Sequence, residues 1–312
     1  MESMRIALGA VTPLTLMIAL GVLLRRLKLV DTVVLNGLDR INFRVLLPVL
    51  LFDSLYSADF KTDFSVKFLL FMIGLFVIEI ILWFVITPIF EKDIKKQGTL
   101  IQAMFRSNTN VFGTAIISQL YSGGHIGLVG VSMLAAVPLP QAFGIIALER
   151  CGNHAGGRRA RMLNIAKNPM IIGIVVSMIA IFTKLSLPGP IESTVHSIAK
   201  AATPMALISL GGTLEFSSFR ENRKDLMIGA TGKALLHPLL FVPLAAALGF
   251  RGPQLATIMV VANSPVAVTV FSITRQMDGD GQLAAQLIVI TTILSVVSTF
   301  FCTWVLTVTG LI

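Results

Sequence analysis

Charged residues are scarce in this chain. They make up 13% of it, whereas an average soluble domain carries about a quarter. The apolar runs between them are long enough to cross a bilayer. A soluble globular fold is excluded, and an all-α membrane protein is expected. Cysteine is scarcer still, with two in 312 residues. Cys151 falls in a polar loop and Cys302 in an apolar run, so there is no disulfide framework and no CxxC metal spacing. The four histidines are scattered without HExxH spacing. Gly229-Ala230-Thr231-Gly232-Lys233 lacks the spacing and the following Ser or Thr of a phosphate loop, and there is no GxSxG. No enzyme, cofactor or metal site is expected. Acidic residues are outnumbered, 16 against 25 Lys and Arg. In a soluble protein that surplus would suggest nucleic acid; here it reads as cytoplasmic loops facing anionic lipid, and no nucleic-acid partner is expected. The first apolar run is too long for a cleavable signal, and Arg25-Arg26-Leu27-Lys28 follows it in place of a small-residue cleavage site.

Ten apolar runs are long enough to cross a membrane: Ile6–Leu24, Ile41–Leu55, Phe68–Ile89, Leu100–Leu120, Ile126–Leu148, Pro169–Thr183, Val195–Leu214, Leu226–Leu248, Pro253–Ile273 and Leu283–Leu311. Alternate loops hold fifteen basic residues on one side, around Arg25, Lys95, Arg158, Arg223 and Arg275. The other side holds five: Arg5, Lys61, Lys67, Lys184 and Arg251. The richer side is cytoplasmic by the positive-inside rule, so both termini lie outside the cell membrane. The most polar connection, with Gly152, Gly156 and three arginines, divides the spans five and five. Because five is odd, the halves enter from opposite sides as an inverted repeat. The division is residues 1–150, a cytoplasmic linker 151–167, and residues 168–312, integrated in one transmembrane domain.

Each half carries one small polar knot inside its fourth span. The first is Arg106-Ser107-Asn108-Thr109-Asn110-Val111-Phe112-Gly113, and the second is Val261-Ala262-Asn263-Ser264-Pro265-Val266. Pro265 removes a backbone donor and clashes with the preceding turn, so the ninth span must break. Ser264 followed by Pro265 reads as an N-cap and first helical residue, which predicts one helix ending near Val261 and another starting at Pro265. Asn108 and Asn263 each lie roughly ten residues from their entry side. At ~1.5 Å per residue that is ~15 Å, half of a ~30 Å hydrocarbon core. Paired interruptions at the midplane point to a transporter's binding site.

At this point a resemblance appears. Leu38-Asp39-Arg40-Ile41-Asn42-Phe43 with Leu47-Pro48, Phe105-Arg106-Ser107-Asn108 leading to Gly113, Thr203-Pro204-Met205-Ala206-Leu207 with Leu210-Gly211-Gly212, Lys233 with His237-Pro238, and Ser264-Pro265-Val266-Ala267 resemble, in order and spacing, the auxin efflux carrier family of secondary transporters. The chain departs from the pattern at Ala115, where the family often has proline. The resemblance implies ten spans as two inverted five-helix repeats, with the fourth and ninth crossing where they unwind. It also implies a homodimer with one bundle moving against a scaffold, and transport of an organic anion such as an auxin-like acid, malonate or malate.

Two readings stand for each candidate residue. Asn108, Thr109, Asn110, Asn263, Ser264 and Pro265 either bind substrate beside helix N-termini, whose free N–H groups suit a carboxylate, or only satisfy the broken backbone. The first is the expectation: Asn108 and Asn263 face one pocket, replacing either by Ala weakens binding, and Pro265→Ala heals the break and harms transport more. Arg106 either meets an anionic substrate or snorkels to the interface. Gln141, directly after Pro138 and Pro140, either lines the site or reflects helix kinks. Lys233 is a counter-charge or a snorkelling residue, and buried charge in a span favours function. His237 is expected to bond a carbonyl freed by Pro238. Glu79 is a proton carrier, a partner for Lys233, or a residue at a wet interface; Asp53 and Glu215 are boundary residues. Neither knot holds a carboxylate. That argues against a sodium- or proton-coupled antiporter, the rival within transport. A non-transporting receptor or scaffold would need a soluble module, and the longest hydrophilic stretch is only the loop around Gly156.

Overall fold

The computed structural model describes residues 2–58, 64–151 and 157–312. Gly152, Gly156 and Lys61 lie outside these, as do the side chains of Arg5 and Arg158. The first apolar run folds as α1 (Glu2–Arg26), with Arg25 and Arg26 in its last turn at the negative end of the helix dipole. The second starts nine residues earlier than its hydropathy suggests. Asp31 caps α2 (Thr32–Ile41) by accepting from Val34 N at 2.8 Å, and the helix runs through a π turn, Asn42–Leu46, into α3 (Leu47–Tyr56). Asp39 hides that start from a hydropathy reading: it is charged yet fully buried. The third run is α4 (Val66–Phe90), apolar and long enough to cross a bilayer.

The next stretch is broken. Helix α5 (Ile94–Phe105) stops at Arg106, and α6 (Thr109–Leu120) resumes beyond Asn108. The fifth run is α7 (Ile126–Ala136) and α8 (Pro138–Cys151), with Val137 between them ahead of Pro138. Helix α9 (Gly157–Ala166) leads to α10 (Pro169–Phe182), across a bend of 57° at Asn168. Helix α11 (Gly189–Thr213) follows, then the single turn α12 (Ser218–Glu221) and α13 (Arg223–Thr231). A second π turn, Gly232–Leu236, joins α13 to α14 (His237–Ala247). The second break lies between α15 (Gly252–Asn263) and α16 (Thr269–Gln276), and α17 (Gly281–Val308) completes the chain.

Both π turns have the same local cause. Pro48 and Pro238 lack the N–H that would close an α-helical bond to the carbonyl four residues back. The turn before each widens, so that Leu47 N bonds to Asn42 O and His237 N to Gly232 O. Each widened turn buries one polar side chain, Asn42 or Lys233.

Among the described residues the fold is all helical, apart from one isolated antiparallel bridge, Ser107 with Val266. Among the described residues, four helical stretches are long and apolar enough to cross a membrane by themselves: Val66–Phe90, Ile126–Cys151, Arg223–Ala247 and Gly281–Val308. The bent pair at Asn168 makes a fifth if it is one span. Large apolar side chains such as Leu70, Ile81, Val85, Val176, Phe182 and Val297 are exposed. In water such surfaces would associate, but in lipid they need no cover. Helices α1 and α11 pack almost backbone to backbone. A Cβ at Gly21 would lie 2.1 Å from Ile208 O, and one at Gly211 2.0 Å from Ile18 O.

Candidate functional site

The two breaks meet. Arg106 leaves α5 extended (φ −91°, ψ 100°), and Ser264 leaves α15 extended (φ −61°, ψ 135°). The two short segments run antiparallel. Asn108 N donates to Pro265 O, and Ala267 N to Arg106 O, both at 2.9 Å. Each break therefore satisfies backbone groups of the other, which matters where water is scarce. Val266 N, facing away, donates to Thr291 Oγ1 of α17 at 3.1 Å.

Here the structure differs from the sequence expectation in detail. The helix before the second break ends at Asn263, not Val261, and the next begins at Thr269, not Pro265. Ser264 does not cap it: its hydroxyl donates back to Val260 O at 2.8 Å. The Asn263 amide likewise donates to Met259 O at 2.8 Å. These side chains stay with α15 because its last carbonyls need donors, and Pro265 has none to give.

Beside the crossing lies a cavity of about 90 Å³. Ser54, Arg106, Ser107, Asn108, Thr109, Asn110, Gln141, Thr203 and Thr269 form its polar lining. Leu50, Leu51, Val111, Met133, Ala136, Val137, Ala267 and Val268 form its apolar lining. Of the residues singled out in the sequence, Arg106, Asn108, Thr109, Asn110 and Gln141 come together here. Asn263, Ser264 and Pro265 lie outside the lining. Asn108 and Asn263 thus do not face each other across one pocket, and Thr269 takes the place expected of Asn263. Thr269 was not legible, because a helix starting at Pro265 would have put it past the first turn. Thr203 and Ser54 give no local signal at all, since α11 and α3 reach the cavity only through tertiary packing.

Arg106 is 4% exposed and does not snorkel. Its Nη1 donates to Gln102 Oε1 at 3.2 Å, and its Nη2 to Gln141 Oε1 and Thr269 Oγ1, both at 2.5 Å. All three partners are neutral, and among the described residues Arg106 makes no ion pair. Gln102 is fixed in turn, donating through Nε2 to Thr274 Oγ1 at 2.6 Å. Because a guanidinium can only donate, the Gln141 oxygen must face it and the amide nitrogen must point elsewhere. That nitrogen is buried with no partner, as are Asn108 Nδ2 and Thr109 Oγ1. The same small cavity is therefore lined by one unpaired cation and by three residues that each hold a buried, unpartnered donor, and such groups are costly to leave unmatched.

Behind the wall lies a second polar cluster. Lys233 is buried and donates to Ser107 Oγ at 2.6 Å and Met104 O at 2.8 Å. Its Nζ is 3.4 Å from Nδ1 of His237. His237 does not bond a carbonyl freed by Pro238. Its Nε2 accepts from Trp83 Nε1 at 3.3 Å, and Nδ1 sits 3.0 Å from Glu79 Oε1. The indole can only donate, so the imidazole proton sits on Nδ1 and is given to Glu79. Glu79 is 2% exposed and faces no wet interface.

Two further cavities flank the crossing. One, of about 280 Å³, shares Ser54, Asn110 and Met133 with the first and reaches Asp53 and His196, which pair at 3.0 Å. Asn110 Nδ2 donates to Ser54 Oγ at 3.1 Å between the two cavities. The other, of about 590 Å³, is lined by Arg25, Lys95, Glu215, Arg275 and Asp280 at the far end of α16. There Arg275 binds the carboxylate of Asp39 and the amide oxygen of Asn36 in α2.

Comparison with known proteins identifies the family. The profile of a family described as "Membrane transport protein" matches residues 6–149 and 158–303. A "Putative malonate transporter" of Rhizobium meliloti (strain 1021) is 26% identical, over 92% of each chain. An "Uncharacterized transporter" of Methanothermobacter thermautotrophicus is 25% identical, over 90% of this chain and 92% of its own. With nearly its whole length matched, the chain belongs to the membrane transport protein family, the auxin-efflux-carrier-like group that its motifs resemble.

Proposed function

We propose that the protein is a secondary transporter that carries a small organic anion across the cell membrane by alternating access around the crossed breaks. The observation that carries this reading is Arg106, buried without an acidic partner beside the unpartnered donors of Asn108, Thr109 and Gln141. A carboxylate would match all four, and charge-assisted bonds of this kind are the strong ones. Asn110 and Thr269 complete the polar wall. Asn263, Ser264 and Pro265 act indirectly, by shaping the second break.

Ten spans in two inverted five-helix repeats belong to the same reading, with residues 1–150 and 168–312 as the repeats and 151–167 as the linker. Its support is that all ten apolar runs are helical, and that the broken ones hold corresponding places in the two halves. The charge distribution orients the cavity of Asp53 and His196 outward, and that of Arg25 and Arg275 toward the cytoplasm, with both termini outside. The helix spanning 32–56 is tied to the crossing helices at both levels, through Ser54 to Asn110 and through Asp39 to Arg275. Alternating access would release one tie at a time. A homodimer follows from the family resemblance.

Proton coupling has an observation of its own, the buried chain from Glu79 through His237 to Lys233 and Ser107. Complete loss of transport in a folded Glu79→Gln variant would favour it; retained transport would count against it. The main reading is tested by uptake of labelled carboxylates into proteoliposomes. Saturable uptake, lost in Arg106→Gln, is expected. Failure of the purified protein to bind or move any carboxylate would overturn it.

A further inference from the structure

We propose that the crossing cavity selects a monoanion: one carboxylate on the Arg106 side, joined to a short uncharged part that lies against the apolar wall. This deepens the transport reading and rests on it. It comes from counting charge around the crossing. Of the residues lining the cavity, Arg106 alone is charged. Lys233, bonded to the lining residue Ser107, does not itself line the cavity. Its ammonium points at Met104 O and Ser107 Oγ from behind the wall, and Glu79 in the same cluster balances it. Arg106, Lys233 and Glu79 together leave a single positive charge for the substrate.

The remaining lining is uneven. The unpartnered donors of Asn108, Thr109 and Gln141 gather beside Arg106. Leu50, Leu51, Val111, Met133 and Val137 supply no hydrogen-bond donor from their side chains. Ser54, Asn110 and Thr203 add only neutral groups, so a second carboxylate on the same small molecule would meet no cation there, and a buried charge without a counter-charge is strongly disfavoured. The adjoining outer cavity does not help it, because its acid, Asp53, is negative as well and already holds His196.

The test compares molecules matched in size that differ by one charge. Monomethyl malonate against malonate, and butyrate against succinate, are titrated into the purified full-length protein near neutral pH by calorimetry. Each monoanion is expected to bind about tenfold or more tightly than its dianion. Malonate or succinate binding as tightly as its singly charged partner, or more tightly, would overturn the monoanion site while leaving carboxylate transport intact. If none of the four binds, and none is taken up by proteoliposomes, the transport reading falls and this inference with it.

Discussion

At the scale of single residues, the proposed anion binding turns on Arg106. Its guanidinium is held in place by Gln102, Gln141 and Thr269, so it is organised before any ligand arrives. Arg106→Gln should weaken anion binding by about 10- to 100-fold, the loss expected for charge-assisted bonds. Arg106→Lys should not restore it, because an ammonium cannot reach three partners in one plane. Calorimetry on the folded variants checks both. The two asparagines should differ. Asn108 lines the cavity and its amide nitrogen has no partner, whereas the Asn263 amide is spent on Met259 O and Asn263 lies outside the lining. Asn108→Ala is expected to lower affinity about tenfold, and Asn263→Ala by no more than about twofold. Equal losses would mean that Asn263 reaches the ligand too. In the sequence the two asparagines were equivalent, one per knot, and nothing local could separate them. What separates them is Pro265, which leaves α15 short of a donor and draws Asn263 and Ser264 back toward it.

At the scale of elements, each break is supported by more than its own sequence. The second has Pro265, but the first has no proline, and what keeps both open is the reciprocal pairing of 106–108 with 265–267. This is why the positions of the breaks were legible and their geometry was not: a proline marks where a helix must stop, while the partner strand lies about 160 residues away in the sequence. Other helix ends were readable because their causes are local, such as Arg25 and Arg26 closing α1. The start at Thr32 was not, because buried Asp39 is compensated from far along the chain, by Arg275 of α16. The α1–α11 contact depends on bare backbone at Gly21 and Gly211. Gly211→Ala places a methyl 2.0 Å from Ile18 O and should destabilise the fold by about 1–3 kcal/mol. Thermal unfolding in detergent reads this directly. An unchanged midpoint would show that α1 can shift at little cost.

At the scale of the whole molecule, charge orients the chain and the crossing divides its cavities. In a variant whose Cys151 and Cys302 are replaced by serine, a cysteine at exposed Lys95 should resist an impermeant thiol reagent applied outside sealed cells, and one at His196 should react. The reverse pattern would invert the orientation. The central claim is that the anion sits at the crossing, and the most direct measurement is an experimental structure of the protein with a bound carboxylate. The account predicts density for the carboxylate within hydrogen-bond distance of Arg106, Asn108, Thr109 and Gln141, with the rest of the molecule against Leu51 and Val137. Density confined to the cavity of Arg25, Lys95 and Arg275, with the crossing side chains unchanged, would contradict it.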